Sequence, residues 1–324
     1  MKIVVTGSIA TDHLMHFKGR FAEQLLPDQL HQVSLSFLVD KLVIRRGGVA
    51  ANMAYGMGVL GEHPTLLGAV GPDFDDYRKW LQEHGVDCES VQVFDHLHTA
   101  RFNCTTDDDM AQIASFYTGA MAEGRNISLQ PTVDRLGGID LLIVGAHDPE
   151  GMLRNTSEAT KLGIARAADF SQQIALMDGE QIRTLTDGAA YLLSNDYEKN
   201  LLESKSGWSD ADVLDHVGIR VTTLGERGVE ITGKDIERVY VPIAREVRKV
   251  DPTGVGDGFR AGFFAGLSWG LSLERSAQVG SMLATLVIET DGPQEYALDR
   301  ADFIKRLGEA YGDDAAAEVT THLS

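Results

Sequence analysis

The chain has 324 residues, 43% of them hydrophobic and 24% charged, an ordinary balance for a soluble globular protein, and at roughly 100–200 residues per domain it suits one large or two modest domains. Its formal net charge of −19 opposes nucleic acid and anionic membranes as partners, and no run of about 20 apolar residues is present to span a bilayer. Two cysteines, Cys88 and Cys104, exclude a disulfide framework and a CxxC zinc site; with no apolar leader before the first strand, the expected location is cytoplasmic.

Taken in chain order, Ile3 to Val5 predicts a first strand. Leu14 to Leu42 breaks the pattern that follows, and within it Val33 to Val39 alternates as a strand does. Gly47 to Leu60 is small and apolar at helical spacing. Thr65 to Val70 reads as a strand and Phe74 to Glu83 as a helix. Thr99 to Thr106 and Ala111 to Tyr117 flank Asp107-Asp108-Asp109-Met110, an acidic link suited to a hairpin turn. Strands then alternate with helices: strand 140–144, helix 149–162, strand 164–169, helix 179–186, strand 191–194 and strand 220–224. Helices over 256–266 and 273–289 follow, and 312–324 reads as a frayed tail or a short helix. This order predicts an α/β protein with a three-layer parallel sheet covered by helices. The inserted β segments, at about 13–45 and 97–119, predict a small β-sheet lid beside a single main domain spanning 1–324.

The strongest chemical signal is Asp251-Pro252-Thr253-Gly254-Val255-Gly256-Asp257. Its glycines let the backbone turn tightly and approach a ligand. The segment opens a helix, whose free N–H groups and positive dipole end favour an anion, or negative charge developing in a reaction. The same field is expected to stabilise Asp257 in its ionised form, as suits a base. In so acidic a chain, an anionic substrate is repelled at long range. Its site must therefore be built locally from backbone N–H groups, a helix N-terminus and a metal ion.

Asp251, Gly254, Gly256, Asp257 and Phe259 match the later signature of the ribokinase-like (PfkB) carbohydrate kinases, with Pro252 and Val255 as small departures. The earlier signature is matched by Gly47-Gly48-Val49-Ala50-Ala51-Asn52 and then Leu60-Gly61. Gly71-Pro72-Asp73 matches a third element in part, with Asp76 where glycine is usual. The chain thus resembles that family over nearly its whole length. The resemblance implies ATP as phosphoryl donor, with Asp257 as base and the backbone N–H groups of Gly254, Val255 and Gly256 receiving the charge of the moving phosphoryl group. It implies sugar hydroxyls held by Asp12, Gly48 and Asn52, a fit with carboxylate and amide chemistry. It places Asn195 and Glu198 near Mg²⁺ and the phosphates, often through water, and Thr223, Gly225 and Gly228 in a nucleotide loop. A monovalent site, for K⁺, would lie at Asp251 and Thr253.

For the acceptor, Arg45 and Arg46 precede the glycine pair on a β segment and are expected to face solvent, which favours a neutral substrate. Phe102 and Phe116, on the two hairpin strands, suit either the core of a small sheet or a clamp on a flat base. Gln172 and Gln173 follow a strand and carry amides able to pair with a purine edge. The runs 4–15, 34–39, 111–117 and 171–173 look like the bacterial adenosine kinase branch. That likeness implies phosphate transfer to the 5′-hydroxyl of adenosine, giving AMP for purine salvage, with Ser8, Ser36 and Gln172 also in contact. A ribose or fructose kinase is the alternative. An apolar lid face exposed to water is costly, so a homodimer through the lid is expected, with Ser36 reaching the partner's site.

Overall fold

The computed structural model describes residues 1–24 and 36–323. Its larger sheet draws on β1 (Ile3–Thr6), β4 (Thr65–Val70), β5 (Val91–Val93), β8 (Leu141–Val144), β9 (Ala165–Asp169), β10 (Ala189–Asn195), β11 (Val217–Thr223), β12 (Val229–Thr232) and β13 (Val239–Val241). The smaller sheet uses β2 (Ala10–Phe17), β3 (Val39–Gly47), β6 (Ala100–Thr106) and β7 (Gln112–Tyr117). The helices are α1 (Phe21–Gln24), α2 (Val49–Val59), α3 (Asp75–Glu83), α4 (Gln130–Leu136), α5 (Pro149–Leu162), α6 (Gly179–Thr186), α7 (Asp196–Ser206), α8 (Asp210–His216), α9 (Val255–Ser268), α10 (Leu273–Ile288), α11 (Arg300–Tyr311) and α12 (Asp313–Thr320).

The nine strands of the large sheet run in the order β13-β12-β11-β10-β9-β8-β1-β4-β5. All neighbours from β11 to β5 are parallel, and β12 and β13 add an antiparallel edge. Side chains on a strand alternate between faces, so a sheet covered on both sides needs apolar residues at every position. In β1, Ile3 and Val5 join the core with α2, α9 and α10, while Val4 joins the opposite core with α5 and α6. Both faces are covered by helices, which gives the three-layer α/β arrangement expected from the sequence.

Helices α9 and α10 approach closely because their facing positions are small. A Cβ on Gly262 would lie 2.7 Å from Gly280 Cα, and one on Gly266 would lie 2.7 Å from Ser276 Cα. Glycine inside a helix costs about 0.5–1 kcal/mol relative to alanine. The close contact offsets that and holds the N-terminus of α9 at the end of the sheet.

The small sheet runs β3-β2-β6-β7, with β2 antiparallel to β3 and parallel to β6, and β6 antiparallel to β7. The predicted hairpin is present. The predicted strand 33–39 is not where the chain forms its ladder. Residues 33–35 lie outside the described residues, residues 36–38 are coil, and the strand starts at Val39 and runs to Gly47. Its partner β2 (Ala10–Phe17) begins ahead of the break read at Leu14 to Leu42 and runs into it. Strands β12 and β13, which the sequence did not predict, are short, and β13 forms the edge of the sheet. The C-terminal segment forms α12, pinned by buried Ala315, Val319 and Leu323.

Candidate active site

Parallel strands end with their carbonyl ends on one edge of the sheet, and there the following loops converge. Ser8 after β1, Ala146 after β8, Ser171 to Gln173 after β9, Asn195 ending β10 and Thr223 ending β11 line one cleft of about 1130 Å³. The N-terminus of α9 closes its floor and the small sheet forms its roof. Of the residues singled out from sequence, Ser8, Asp12, Gly48, Asn52, Phe102, Phe116, Gln172, Gln173, Asn195, Glu198, Thr223, Gly225, Gly228, Gly254, Val255, Gly256 and Asp257 all line this cleft. Ser36 does not: it is exposed on coil before β3.

Strand register explains the roof. Asp12 of β2 pairs with Arg45 of β3 on one side and with Phe102 of β6 on the other, and Phe102 pairs with Phe116 of β7. Residues directly opposite one another share a face. One cross-strand row therefore delivers a guanidinium, a carboxylate and two phenyl rings to the cleft. Arg45 accordingly does not face solvent, contrary to the sequence expectation. Its Nη2 donates to Asp291 Oδ2 at 2.6 Å, which ties the roof to the loop after α10. Arg46 points the other way, 4.3 Å over the Trp80 ring.

At the floor, Gly254 is the N-cap of α9 with φ 77, a left-handed conformation, and a Cβ there would lie 2.4 Å from Pro293 Cβ. Among the described residues no side chain caps this helix. The N–H groups of Gly254, Gly256 and Asp257 meet no acceptor among the described residues, whereas that of Val255 bonds the Pro252 carbonyl at 3.3 Å. Of the three N–H groups expected to receive an anion, those of Gly254 and Gly256 are therefore open and that of Val255 is engaged; beside them Asp251 Oδ1 accepts from the Thr253 N–H at 2.8 Å.

Asp257 accepts from Asn52 Nδ2 at 2.8 Å. Its carboxyl is pushed up to about 7, chiefly by burial, and further by the charges of Asp169 and Glu198; the Asn52 hydrogen bond and the Arg260 guanidinium oppose the shift. The helix dipole was expected to hold it ionised at ordinary pH, but desolvation outweighs the dipole. Asp12 is pushed up to about 6 by burial, then by the Asp251 charge. Below them, Arg260 Nη2 donates to Asp169 Oδ1 at 2.9 Å, and both side chains are buried.

Both Asp12 and Asp257 bind protons more tightly folded than unfolded. Their contribution to stability is full below the ordinary value of 3.8 and is lost as pH rises through about 6 and about 7. Urea titrations of the ligand-free protein should show this loss from about pH 4 to 7. It should be smaller in Asp12→Asn and Asp257→Asn, and parallel pH dependences in all three proteins would contradict it.

Asn195 and Glu198 form a reciprocal capping box on α7: Glu198 Oε2 accepts from the Asn195 N–H, and Asn195 Oδ1 from the Glu198 N–H, both at 2.8 Å. Capping and cleft lining coincide in these residues. Burial raises the Glu198 carboxyl, with Arg260 opposing. Its second oxygen, Oε1, is left for water or a hard cation that takes oxygen ligands. Ser8 is likewise a helix anchor, its Oγ accepting from the Val49 N–H at 2.9 Å. Gly225 and Gly228, with φ 60 and 93, shape the turn between β11 and β12.

The sequence reading missed Lys249, Glu246, Arg260 and Gln294. Lys249 and Glu246 line the cleft on a segment without periodicity, and Lys249 pairs with Glu226 of the 223–228 turn. The remaining two are distant in sequence from the partners that give them a role.

The family profile described as pfkB family carbohydrate kinase matches residues 2–300. The nucleoside kinase of Methanothermobacter thermautotrophicus is 27% identical over 314 residues, covering 96% of each chain. The solved structure of a Burkholderia thailandensis nucleoside kinase in complex with inosine superposes with a TM-score of 0.82 at 34% identity, covering 96% of this chain and 98% of that one. Its ligand-free form gives a TM-score of 0.85 at 35% identity, covering 94% and 99%.

Proposed function

The chain belongs to the pfkB family of carbohydrate kinases, and from that premise we propose that it moves the γ-phosphate of ATP to the 5′-hydroxyl of a purine nucleoside. Adenosine, giving AMP, is the substrate favoured by the sequence, and inosine joins it because a similar kinase binds inosine. The observation that carries the reading is the row Asp12, Phe102 and Phe116 on one face of the small sheet, above Asp257. A carboxylate for ribose hydroxyls beside two rings for a flat base is a nucleoside-shaped arrangement. A sugar kinase has use for the carboxylate but none for the rings.

Gln173 supports breadth among purines. Its Oε1 is buried without a partner among the described residues, and a carboxamide turned over presents either oxygen to a 6-amino group or N–H to a 6-oxo group. In the reaction, Asp257 receives the 5′-hydroxyl proton while that oxygen bonds the γ-phosphorus and the bond to the bridging oxygen breaks, releasing ADP. A pKa near 7 matches a base working at neutral pH. In a loose transition state little nucleophile charge is needed early, so the proton moves late. The N–H groups of Gly254, Gly256 and Asp257 receive the phosphoryl oxygens. Glu198 and Asn195 would hold Mg²⁺ through water, which neutralises charge on the ATP oxygens; a K⁺ ion would belong beside Asp251.

The opposite face of the small sheet exposes Leu42, Ile44, Ile113 and Tyr117. A second copy covering it makes a homodimer, and light scattering should return twice the monomer mass. Among the described residues no helix is long and apolar enough to cross a membrane. The free thiols Cys88 and Cys104 fit the cytoplasm.

Turnover with ATP and Mg²⁺ should be high for adenosine and inosine and low for ribose and fructose. Phe102→Ala and Phe116→Ala should each lower kcat/KM for nucleosides about 10–100-fold, from roughly 1–3 kcal/mol of stacking per base, and leave that for ribose nearly unchanged. Equal losses on both classes, or better use of a free sugar, would sink the nucleoside assignment.

A further inference from the structure

Asn52 meets Asp257 through one half of its carboxamide, and the other half is held by residues that no motif points to. Gln294 Nε2 donates to Asn52 Oδ1 at 2.8 Å, and the same nitrogen donates to the Tyr77 hydroxyl at 2.5 Å. Tyr77 in turn donates to the Gly47 carbonyl at 2.9 Å. Gln294 is fully buried, and Tyr77 and Asn52 nearly so.

The direction of every bond in this chain follows from its far end. A backbone carbonyl only accepts, so the single Tyr77 proton is committed to Gly47. Toward Gln294 the hydroxyl oxygen can then only accept, which makes the Gln294 amide nitrogen the group that faces it. That nitrogen spends its second hydrogen on Asn52 and requires an acceptor there, the Asn52 oxygen. The Asn52 nitrogen is thereby left to donate to Asp257. The two ends of a carboxamide are nearly the same size, so packing alone does not choose between them. Hydrogen-bond polarity does, and among groups this deeply buried a wrong choice leaves unpaired donors and acceptors at a higher cost than in water. Gln294 Oε1 has no partner among the described residues. An orphaned buried acceptor carries a penalty, and it persists here because both donors are needed on the other side.

We propose that Gln294 is a positioning residue whose two N–H bonds, to Tyr77 and Asn52, hold the Asn52 amide with its donor end toward Asp257. The inference rests on the reading of Asp257 as the base. With Asn52 turned over, its oxygen would face the carboxylate and favour the protonated acid, which cannot receive the substrate proton. The charged groups acting on Asp257 are Arg260 on its own helix, Asp169 at the end of β9 and Glu198 on α7, whereas the side-chain hydrogen bonds of Gln294 among the described residues go to Asn52 and Tyr77.

Gln294→Glu and Gln294→Met separate direction from packing. The carboxylate introduced by Gln294→Glu accepts from Asn52 and reverses it; the thioether introduced by Gln294→Met fills the space and commits Asn52 to neither orientation. Expected for Gln294→Glu is an acid limb of the kcat–pH profile about one unit higher, with kcat at pH 7 down about fivefold, recovery at alkaline pH, and an unchanged KM for ATP. Expected for Gln294→Met is a limb near the wild-type position. Equal, pH-independent losses in both variants would mean a packing role only and would overturn the proposal, as would a wild-type profile in Gln294→Glu. Should Gln294→Glu not fold, Tyr77→Phe carries the test, since loss of the hydroxyl frees Gln294 to turn its oxygen on Asn52 and should move the limb the same way. Asp257→Asn is measured alongside: full turnover there removes the base itself, whereas an inactive Asp257→Asn with an unmoved Gln294→Glu limb removes only this inference.

Discussion

Asp257→Ala is expected to lower turnover by about 10²–10⁴-fold, the usual contribution of a positioned acid or base, while ATP binding stays close to that of the intact protein. The expectation follows from the position of the carboxyl at the mouth of α9. It touches Asn52 and lines the same cleft as Asp12 and both phenyl rings. The N–H groups proposed to receive the phosphoryl oxygens belong to the backbone of Gly254, Gly256 and residue 257, and a side-chain truncation leaves them in place. Nucleotide affinity from calorimetry and turnover from a coupled assay should therefore separate. A variant that keeps its turnover would refute the base; one that loses ADP binding in parallel would mean that the helix start had been disturbed instead.

The second large effect concerns the buried pair beneath that carboxyl. Arg260 Nε lies 2.5 Å from Asp169 Oδ2, and the aligned hydrogen bond runs from Nη2 to Oδ1 at 2.9 Å. Asp169 is wholly buried and Arg260 nearly so. Removing one member of such a pair leaves an uncompensated charge, at a cost of about 3–5 kcal/mol. Arg260→Met should accordingly lower the urea midpoint markedly and raise the Asp257 carboxyl further, because its nearest cation is gone. Adding Asp169→Leu to Arg260→Met should restore much of the stability, since a buried pair replaced by apolar groups of similar size is often near neutral. A double variant as unstable as the sum of both singles would show that the pair acts through packing and not through its charges.

Much of the fold is legible because its physics is local. Continuous apolar runs such as Leu141–Val144 state that both faces of a strand are covered, and Pro149 with Gly163 brackets α5 at its two ends. The glycines before α9 announce an anion-receiving helix start in the same way. Elements whose signal is weak or shared were harder to read. Strand β3 carries Asp40, Lys41, Arg45 and Arg46, and so looks like a surface segment until its pairing with β2 is known. Strands β12 and β13 are short, of four and three residues, too few to show a period.

Taken alone, the amino-acid order determined the alternation of strands and helices, the two glycine turns, and the chemistry on offer at Asp12, Asn52 and Asp257. Each of these depends on neighbours within a few positions. Tertiary structure alone decided that Arg45 turns into the cleft, that burial lifts Asp257 to about 7 against the helix dipole, and that Gln294 reaches back 242 residues to orient Asn52. Side-chain direction across a sheet, the dielectric around a carboxyl and the polarity of a buried hydrogen-bond chain are properties of what is packed nearby, and folding brings those groups together from remote parts of the chain.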